Sequence, residues 1–166
     1  MAQKPITVQV LKGLLKHFMD VPVNEVNAPA IAKDRGIAVR EVRTDESRDF
    51  ASVLTLTVRG ANGEATVSGT IFGKRDARIV RVNQFDIDAI PDGHVIVIEN
   101  EDAPGVVGNV GNTLGVAGVN IARIALSRDA EKRAFSLVNI DSPAAADVLD
   151  KLRKLPHVTA VRQIRL

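Results

Sequence analysis

The stretch HVIVIENEDAPGVVGNVGNTLGVAGVNIARIALS, residues 94–127, decides the fold of the second half because its hydrophobic period changes twice. Residues 94–100 are a mostly apolar run typical of a buried strand. From Val106 the apolar residues recur at helical spacing, and Gly118 marks the end of the predicted helix. Residues 121–127 return to a strand pattern. The stretch therefore predicts a strand, a helix and a second strand in succession.

The residues after this stretch complete one folding unit. RAFSLVNI, residues 133–140, predicts a third strand, and Ser142-Pro143 opens a helix whose Val and Leu side chains point inward. After Pro156, the alternating segment VTAVRQIRL predicts a last strand. The order β-α-β-β-α-β is the ferredoxin-like arrangement.

The first half begins with helices and continues with strands. Apolar spacing over residues 6–18 predicts one helix, while Pro29 and Gly36 mark the first turn and the end of a second. The period then changes to two, and Asn62-Gly63 predicts a type I′ hairpin turn. The predicted strands are IAVREVR (37–43), ASVLTLTVRG (51–60), EATVSGTIF (64–72) and ARIVRVN (77–83).

These patterns predict an α+β protein of two small α/β-sandwich domains. The turn Pro91-Asp92-Gly93 separates the two patterns, so we expect domains at residues 1–93 and 94–166. A chain of 166 residues has room for two such domains.

Composition excludes several classes of protein. The chain has 22 Lys and Arg against 20 Asp and Glu, and five Phe with no Tyr or Trp, so we expect no nucleic-acid binding. No apolar run reaches the 18 residues of a membrane span. The absence of Cys fits a cytoplasmic protein, and three scattered histidines predict no metal site.

The glycines after residue 104 do not form a nucleotide-binding motif. Neither G-x-G-x-x-G nor a P-loop occurs, and no nucleophile or paired-carboxylate motif indicates catalysis. We expect Gly108, Gly111 and Gly115 to let the helix pack closely on the sheet or on a partner helix.

The junction Asn100-Glu101-Asp102-Ala103-Pro104-Gly105 is the candidate binding site, because a strand ends there and a helix begins. Exposed N–H groups and the helix dipole favour an anion, and Gly105 lets a ligand approach the backbone. Asp102 either caps the helix or binds a ligand. Asn100 and Asn120 are expected to end and begin neighbouring strands, so that they and Asp102 meet the ammonium and carboxylate groups of a free amino acid.

At these residues the chain resembles a known family. Residues 94–127, with the D-x-P-G turn and the segment G-V-N-I, are similar to an ACT domain. The segments LKGLL, VNAPAIAKDRGI, ESRDF, SGTIFG and ARIVRVNQFDIDAIPDGH resemble the intervening domain of long-form D-3-phosphoglycerate dehydrogenase. The resemblance implies a regulatory region, with the NAD site and the catalytic groups in other domains and no cofactor in this chain.

The resemblance also implies binding residues. L-serine ligands correspond to Asn100, Asp102 and Asn120, with Gly105 beside them, although relatives often carry His or Tyr at the first position. An anion site of the intervening domain corresponds to Arg78, with Lys74 and Arg81 close in sequence; the alternative is a solvated edge. Relatives usually have a further strand before LKGLL, so we expect the first strand of that domain to be missing.

Two functions follow from the resemblance. The first is binding of L-serine between the ACT domains of a homo-oligomer, which would inhibit the attached dehydrogenase domains. The second is a structural assembly module that binds no ligand.

Overall fold

The computed structural model describes residues 5–42, 50–61 and 63–166, which belong to two compact units. The first unit is Met1–Glu46 and the second is Ser47–Leu166. None of the helices in the described ranges has the length and hydropathy that crossing a bilayer requires.

The first unit is a pair of short helices, α1 (Pro5–Leu15) and α2 (Ala28–Asp34). They pack through a small core that contains Leu11, Leu15, Ala28 and Ala32. The helix α2 ends before Gly36, whose φ of +69° is the left-handed conformation that glycine adopts without strain. Both predicted helices are confirmed.

The strand predicted at residues 37–43 is wrong for the part that the structure describes, since residues 37–42 are not in a strand. Alternation of apolar and polar residues favours an extended chain. A strand also needs hydrogen bonds to a neighbouring strand, and the local sequence does not supply that neighbour.

The second unit contains two antiparallel four-stranded sheets. The first sheet consists of β1 (Leu54–Gly60), β2 (Gly63–Phe72), β3 (Asp76–Val82) and β4 (Phe85–Ala89). These strands pair in the order β1-β2-β3-β4. In the β1–β2 hairpin Gly60 is paired with Gly63; Asn62 of the predicted turn lies outside the described residues.

The second sheet and its two helices comprise β5 (His94–Glu101), α3 (Val106–Val116), β6 (Ile121–Arg128), β7 (Arg133–Ile140), α4 (Ala146–Arg153) and β8 (Val158–Arg165). The strand order is β6-β7-β5-β8, with both helices on one face. This is the strand order of a ferredoxin-like fold, so the predicted α+β class and the βαββαβ unit are confirmed.

Each face of the second sheet has its own core. The helix-facing core includes Ile96 and Ile98 of β5, Leu114 of α3 and Leu152 of α4. The opposite face packs on β4, where the rings of Phe85 and Phe135 stack with centroids 5.5 Å apart. The two sheets therefore share one hydrophobic core.

Strand β4 was not predicted from the sequence. Its apolar residues Phe85, Ile87 and Ala89 alternate with two aspartates and are buried against the second sheet. Beyond it, the Asn139 side chain donates hydrogen bonds to the carbonyls of Ile90 and Asp92 in the connection to β5. The domain boundary at Gly93 falls in this connection and stays a prediction.

Candidate functional site

The junction between β5 and α3 is held in place by main-chain hydrogen bonds. The Glu101 N–H donates to the carbonyl of His157 at 2.9 Å, and the Asp102 N–H donates to that of Lys132 at 2.8 Å. Gly105 precedes the first helical residue with φ +89° and ψ −14°, a left-handed conformation that L side chains rarely adopt. Glycine at this position therefore turns the chain from the strand into the helix.

Asp102 does not cap α3. The residue before the helix is Gly105, which has no side chain, and the Asp102 carboxylate instead accepts a hydrogen bond from Arg128. The Nη1–Oδ2 distance is 3.3 Å, and the Asp102 side chain is 36% exposed. The capping interpretation is therefore wrong, and the N–H groups of the first turn of α3 keep their capacity to bind an anion.

Asn100 lies in the sheet at the end of β5 and is only 6% exposed. The pairing of β5 with β8 shifts register between Glu99 and Asn100. The Asn100 Nδ2 donates to the carbonyl of Glu101 at 2.6 Å. Among the described residues the structure records no partner for its Oδ1, which leaves an acceptor at the site.

A small cleft lies between the start of α3 and the sheet. Its volume is about 10 Å³, close to the space of one water molecule. Asn100 and Ser136 are its two polar residues. The lining residues are Ile98, Asn100, Val106, Val107, Val110, Ile124, Ser136 and Val138. A cleft of this size takes a group no larger than a hydroxyl or a methyl group.

Arg128 lies at the same end of the sheet as Asn100, a position that was not predicted from the sequence. Asn100 of β5 and Arg128 of β6 are both paired with Ala134 of β7, so the three residues share one level and one face. This is the face that α3 covers. No local pattern indicated the contact with Asp102, because the two residues are 26 positions apart in the sequence.

The hairpin that carries Arg128 is held by Asp129. The Asp129 carboxylate accepts hydrogen bonds from the N–H groups of Glu131 and Arg133 and from the guanidinium of Arg133. Burial would raise the pKa of the Asp129 carboxyl, but the hydrogen bonds from Arg133 hold that pKa below its ordinary value. The ionised carboxylate thus joins the two sides of the turn between β6 and β7.

Asn120 lies at the opposite end of the sheet. Its Nδ2 donates to the Asp141 carboxylate at 2.7 Å, and Ile121 next to it is level with His94 at the start of β5. His94 and Asn100 are six positions apart, a distance of about 20 Å along a strand. The expectation of neighbouring strands is wrong because β7 separates β5 from β6, so one copy does not bring Asn120 to Asn100.

The residues of the predicted anion site lie on the first sheet. The Arg78 Nε lies 3.7 Å from the Asp88 carboxylate, and its guanidinium lies 5.6 Å from the centre of the Phe72 ring. The Arg81 Nε donates to the Asp86 carboxylate at 2.7 Å. Carboxylates of β4 thus neutralise both arginines. Lys74 is exposed in the turn between β2 and β3, and the anion site stays a prediction.

Side chains that bind metals do not gather in the described part of the chain. No three His, Asp or Glu residues there lie close enough together to hold a metal ion.

Comparisons with known proteins agree with the fold. The model of the D-3-phosphoglycerate dehydrogenase intervening domain matches residues 1–83, and the ACT domain model matches residues 94–157. The chain is 33% identical over 162 residues to D-3-phosphoglycerate dehydrogenase of Bacillus subtilis, covering 97% of the chain and 31% of that protein.

Two further relatives have the same name. That of Archaeoglobus fulgidus is 30% identical over 164 residues, covering 97% of the chain and 31% of the relative. That of Mycobacterium tuberculosis strain H37Rv is 36% identical over 146 residues, covering 86% and 28%. The chain thus spans less than a third of the length of these curated relatives. The chain belongs to the D-3-phosphoglycerate dehydrogenase intervening-domain family, and an ACT domain follows the intervening domain.

Proposed function

We propose that this chain is the effector-binding regulatory region of a D-3-phosphoglycerate dehydrogenase, and that its effector is L-serine. The observation that carries the proposal is the junction between β5 and α3, where buried Asn100 lines the cleft and is followed by charged Asp102 and left-handed Gly105. In the whole enzyme, the dehydrogenase domains would hold NAD and the substrate, and this region would respond to the end product.

The chemistry of the junction suits a small amino acid. Asp102 offers a carboxylate to the ligand's ammonium group, and the first turn of α3 offers N–H groups to its carboxylate. Asn100 and Ser136 line the cleft, and an amide oxygen and a hydroxyl are groups that suit the serine hydroxyl group. The small volume of the cleft disfavours larger side chains.

Participation of Asn120 requires a second copy of the chain. Strand β6 is an edge of the second sheet. If two copies pair their β6 edges antiparallel about a twofold axis, the start of one strand lies beside the end of the other. The second copy's Asn120 then approaches the end where Arg128 and Asn100 of the first copy lie. The ligand would bind between the two copies and favour their association.

Inhibition would follow from this association. A ligand that binds one arrangement of subunits better than another shifts their equilibrium, typically by about 1–3 kcal/mol. The dehydrogenase domains would then turn over more slowly in the arrangement that serine favours.

The test compares the thermal midpoint of the full chain with L-serine and with D-serine. A hundredfold excess of ligand over its Kd stabilises the bound form by about 2.7 kcal/mol, which raises the midpoint by several degrees. We expect a shift with the L isomer alone. Equal shifts with both isomers, or none at millimolar L-serine, would contradict the proposal.

The Asp102→Ala variant tests the binding residue, with Asp150→Ala as its matched control. Both aspartates form exposed ion pairs with an arginine, Asp102 with Arg128 and Asp150 with Arg153. Exposed pairs contribute about 0–1 kcal/mol to stability, so both variants should fold like the wild type. We expect only Asp102→Ala to lose the response to L-serine; an equal loss in both would contradict the role of Asp102.

A second candidate function, assembly without a ligand, has its own supporting observation. Val107, Ile124 and Leu126 are large apolar side chains that are 38–48% exposed around the edge strand β6. Such a surface favours association with another apolar surface. A dimer whose mass and thermal midpoint are the same with and without amino acids would favour this function over effector binding.

A further inference from the structure

We infer that Arg128 determines the specificity of the proposed site, because its guanidinium binds the ligand's α-carboxylate while Asp102 binds its α-ammonium group. The inference rests on the proposed function and deepens it. It predicts that the effector must carry both an ammonium and a carboxylate group. The residue that binds the carboxylate lies outside the D-x-P-G and G-V-N-I segments.

Arg128 lies on the face of the sheet that carries the cleft. Arg128 and Asn100 flank Ala134 on the same level of the sheet. Adjacent strands are about 4.8 Å apart, so the two backbones lie roughly 10 Å from each other. Leu126 and Ile124 precede Arg128 on the same face, and Ile124 lines the cleft. A side chain as long as arginine spans the remaining distance to a ligand above Asn100.

The recorded ion pair leaves most of the guanidinium available. The contact with Asp102 is a single one, from Nη1 to Oδ2. Arginine has five N–H donors in a planar fork that matches a carboxylate. The Arg128 side chain is 63% exposed, and for the described residues the structure records no other partner of its guanidinium. A ligand carboxylate can therefore bind without displacing a buried contact.

The pair gives a physical reason for selecting a zwitterion. A ligand that inserts between Asp102 and Arg128 replaces one ion pair with two, provided that it carries both an ammonium and a carboxylate group. An amine without a carboxylate takes Asp102 away from Arg128 and offers the guanidinium no opposite charge. Neutral analogues lose both interactions. The site should therefore reject molecules that match serine in size but lack its carboxylate.

The test measures binding of two ligands to the full chain by isothermal titration calorimetry. L-serine carries both charges, whereas L-serinamide keeps the ammonium group and replaces the carboxylate with a neutral amide. A hydrogen bond to a charged group commonly corresponds to about a tenfold change in affinity or more. We expect the wild type to bind L-serine at least about tenfold more tightly than L-serinamide.

The variant Arg128→Gln removes the charge and keeps much of the side-chain length. We expect it to weaken L-serine binding by about tenfold and to leave L-serinamide binding nearly unchanged, so that the preference for L-serine falls by about tenfold. Arg123→Gln is the matched control, because Arg123 is an exposed arginine on the same strand. It is paired with Asn139, whose side chain faces the connection between the sheets, so Arg123 lies on the opposite face.

Each outcome has a distinct meaning. If Arg128→Gln keeps the wild-type preference, or weakens both ligands equally, Arg128 does not bind the carboxylate and the inference is wrong while the serine site stands. If the wild type binds neither ligand, the proposed function itself is refuted, and the inference with it. Loss of preference in Arg128→Gln but not in Arg123→Gln supports the inference; thermal midpoints of both variants confirm that they are folded.

Discussion

Replacement of Gly105 by alanine should destabilise the chain, whereas the same replacement at Gly108 should stabilise it. A Cβ at either position meets no heavy atom within 4 Å, so steric overlap contributes nothing at either residue. The two glycines differ in backbone conformation, because Gly105 has φ +89° and Gly108 lies inside α3. The pair therefore isolates the effect of the backbone.

The magnitudes follow from the two conformations. An L residue in the left-handed region costs about 1–2 kcal/mol, so Gly105→Ala should lower the free energy of unfolding by that amount. Alanine inside a helix is favoured over glycine by about 1 kcal/mol, so Gly108→Ala should raise it. Gly105→Ala should also weaken L-serine binding, since it changes the direction of the N–H groups where α3 begins.

The assay is urea unfolding followed by far-ultraviolet circular dichroism, because the chain has no Trp or Tyr for fluorescence. With a slope of about 2 kcal/mol per molar urea, a change of 1 kcal/mol moves the midpoint by roughly 0.5 M. Gel filtration at the same concentration shows whether the oligomeric state changes. A Gly105→Ala variant as stable as the wild type would refute the left-handed conformation. A destabilised Gly108→Ala variant would mean that a partner covers this face of α3.

Two further predictions concern the second unit. Leu152 is fully buried in the helix-facing core, so Leu152→Ala should lower the free energy of unfolding by about 2–5 kcal/mol. Val116→Ala, at an 83% exposed residue of the same unit, should change it by less than about 0.5 kcal/mol, and equal changes would contradict the assigned core. The hydrogen bond from Lys151 holds the pKa of Asp147 below its ordinary value. The stabilising contribution of the Asp147–Lys151 pair is therefore present above the ordinary aspartate pKa and is lost as pH falls through the lower, folded-state pKa. Unfolding curves of the wild type and Asp147→Asn should differ at neutral pH and converge in acid; a constant difference would contradict this pair.

The packing of the glycines in α3 could not be predicted from the local sequence. Gly108, Gly111 and Gly115 were expected to let the helix approach the sheet or a partner helix. A Cβ at each of them meets nothing within 4 Å, so close approach to the sheet is wrong and packing on a partner helix stays a prediction. The sequence shows the small residues but not which surface faces them.

Only the part of the candidate site that is contiguous in sequence was predicted. Asn100, Asp102 and Gly105 are close in sequence, so the junction between a strand and a helix was visible as one motif. Arg128 was not visible, because its contact with Asp102 depends on the pairing of β5, β7 and β6. Asn120 was predicted from an expected pairing of its strand with that of Asn100, and the sheet order places it at the far end instead.

The sequence by itself determined the elements that depend on short-range interactions. The helix α2 ends before Gly36, and the helix α3 lies between Gly105 and Gly118. All three glycines have positive φ angles, which are a local property of the chain. The tertiary structure decided which strands became neighbours and which residues therefore met. Residues 37–42 have a strand pattern without a partner, while Phe85–Ala89 became a strand because the second sheet buries it. Strand pairing depends on packing across both faces of a sheet, and a local segment of sequence does not contain the residues that pack against it.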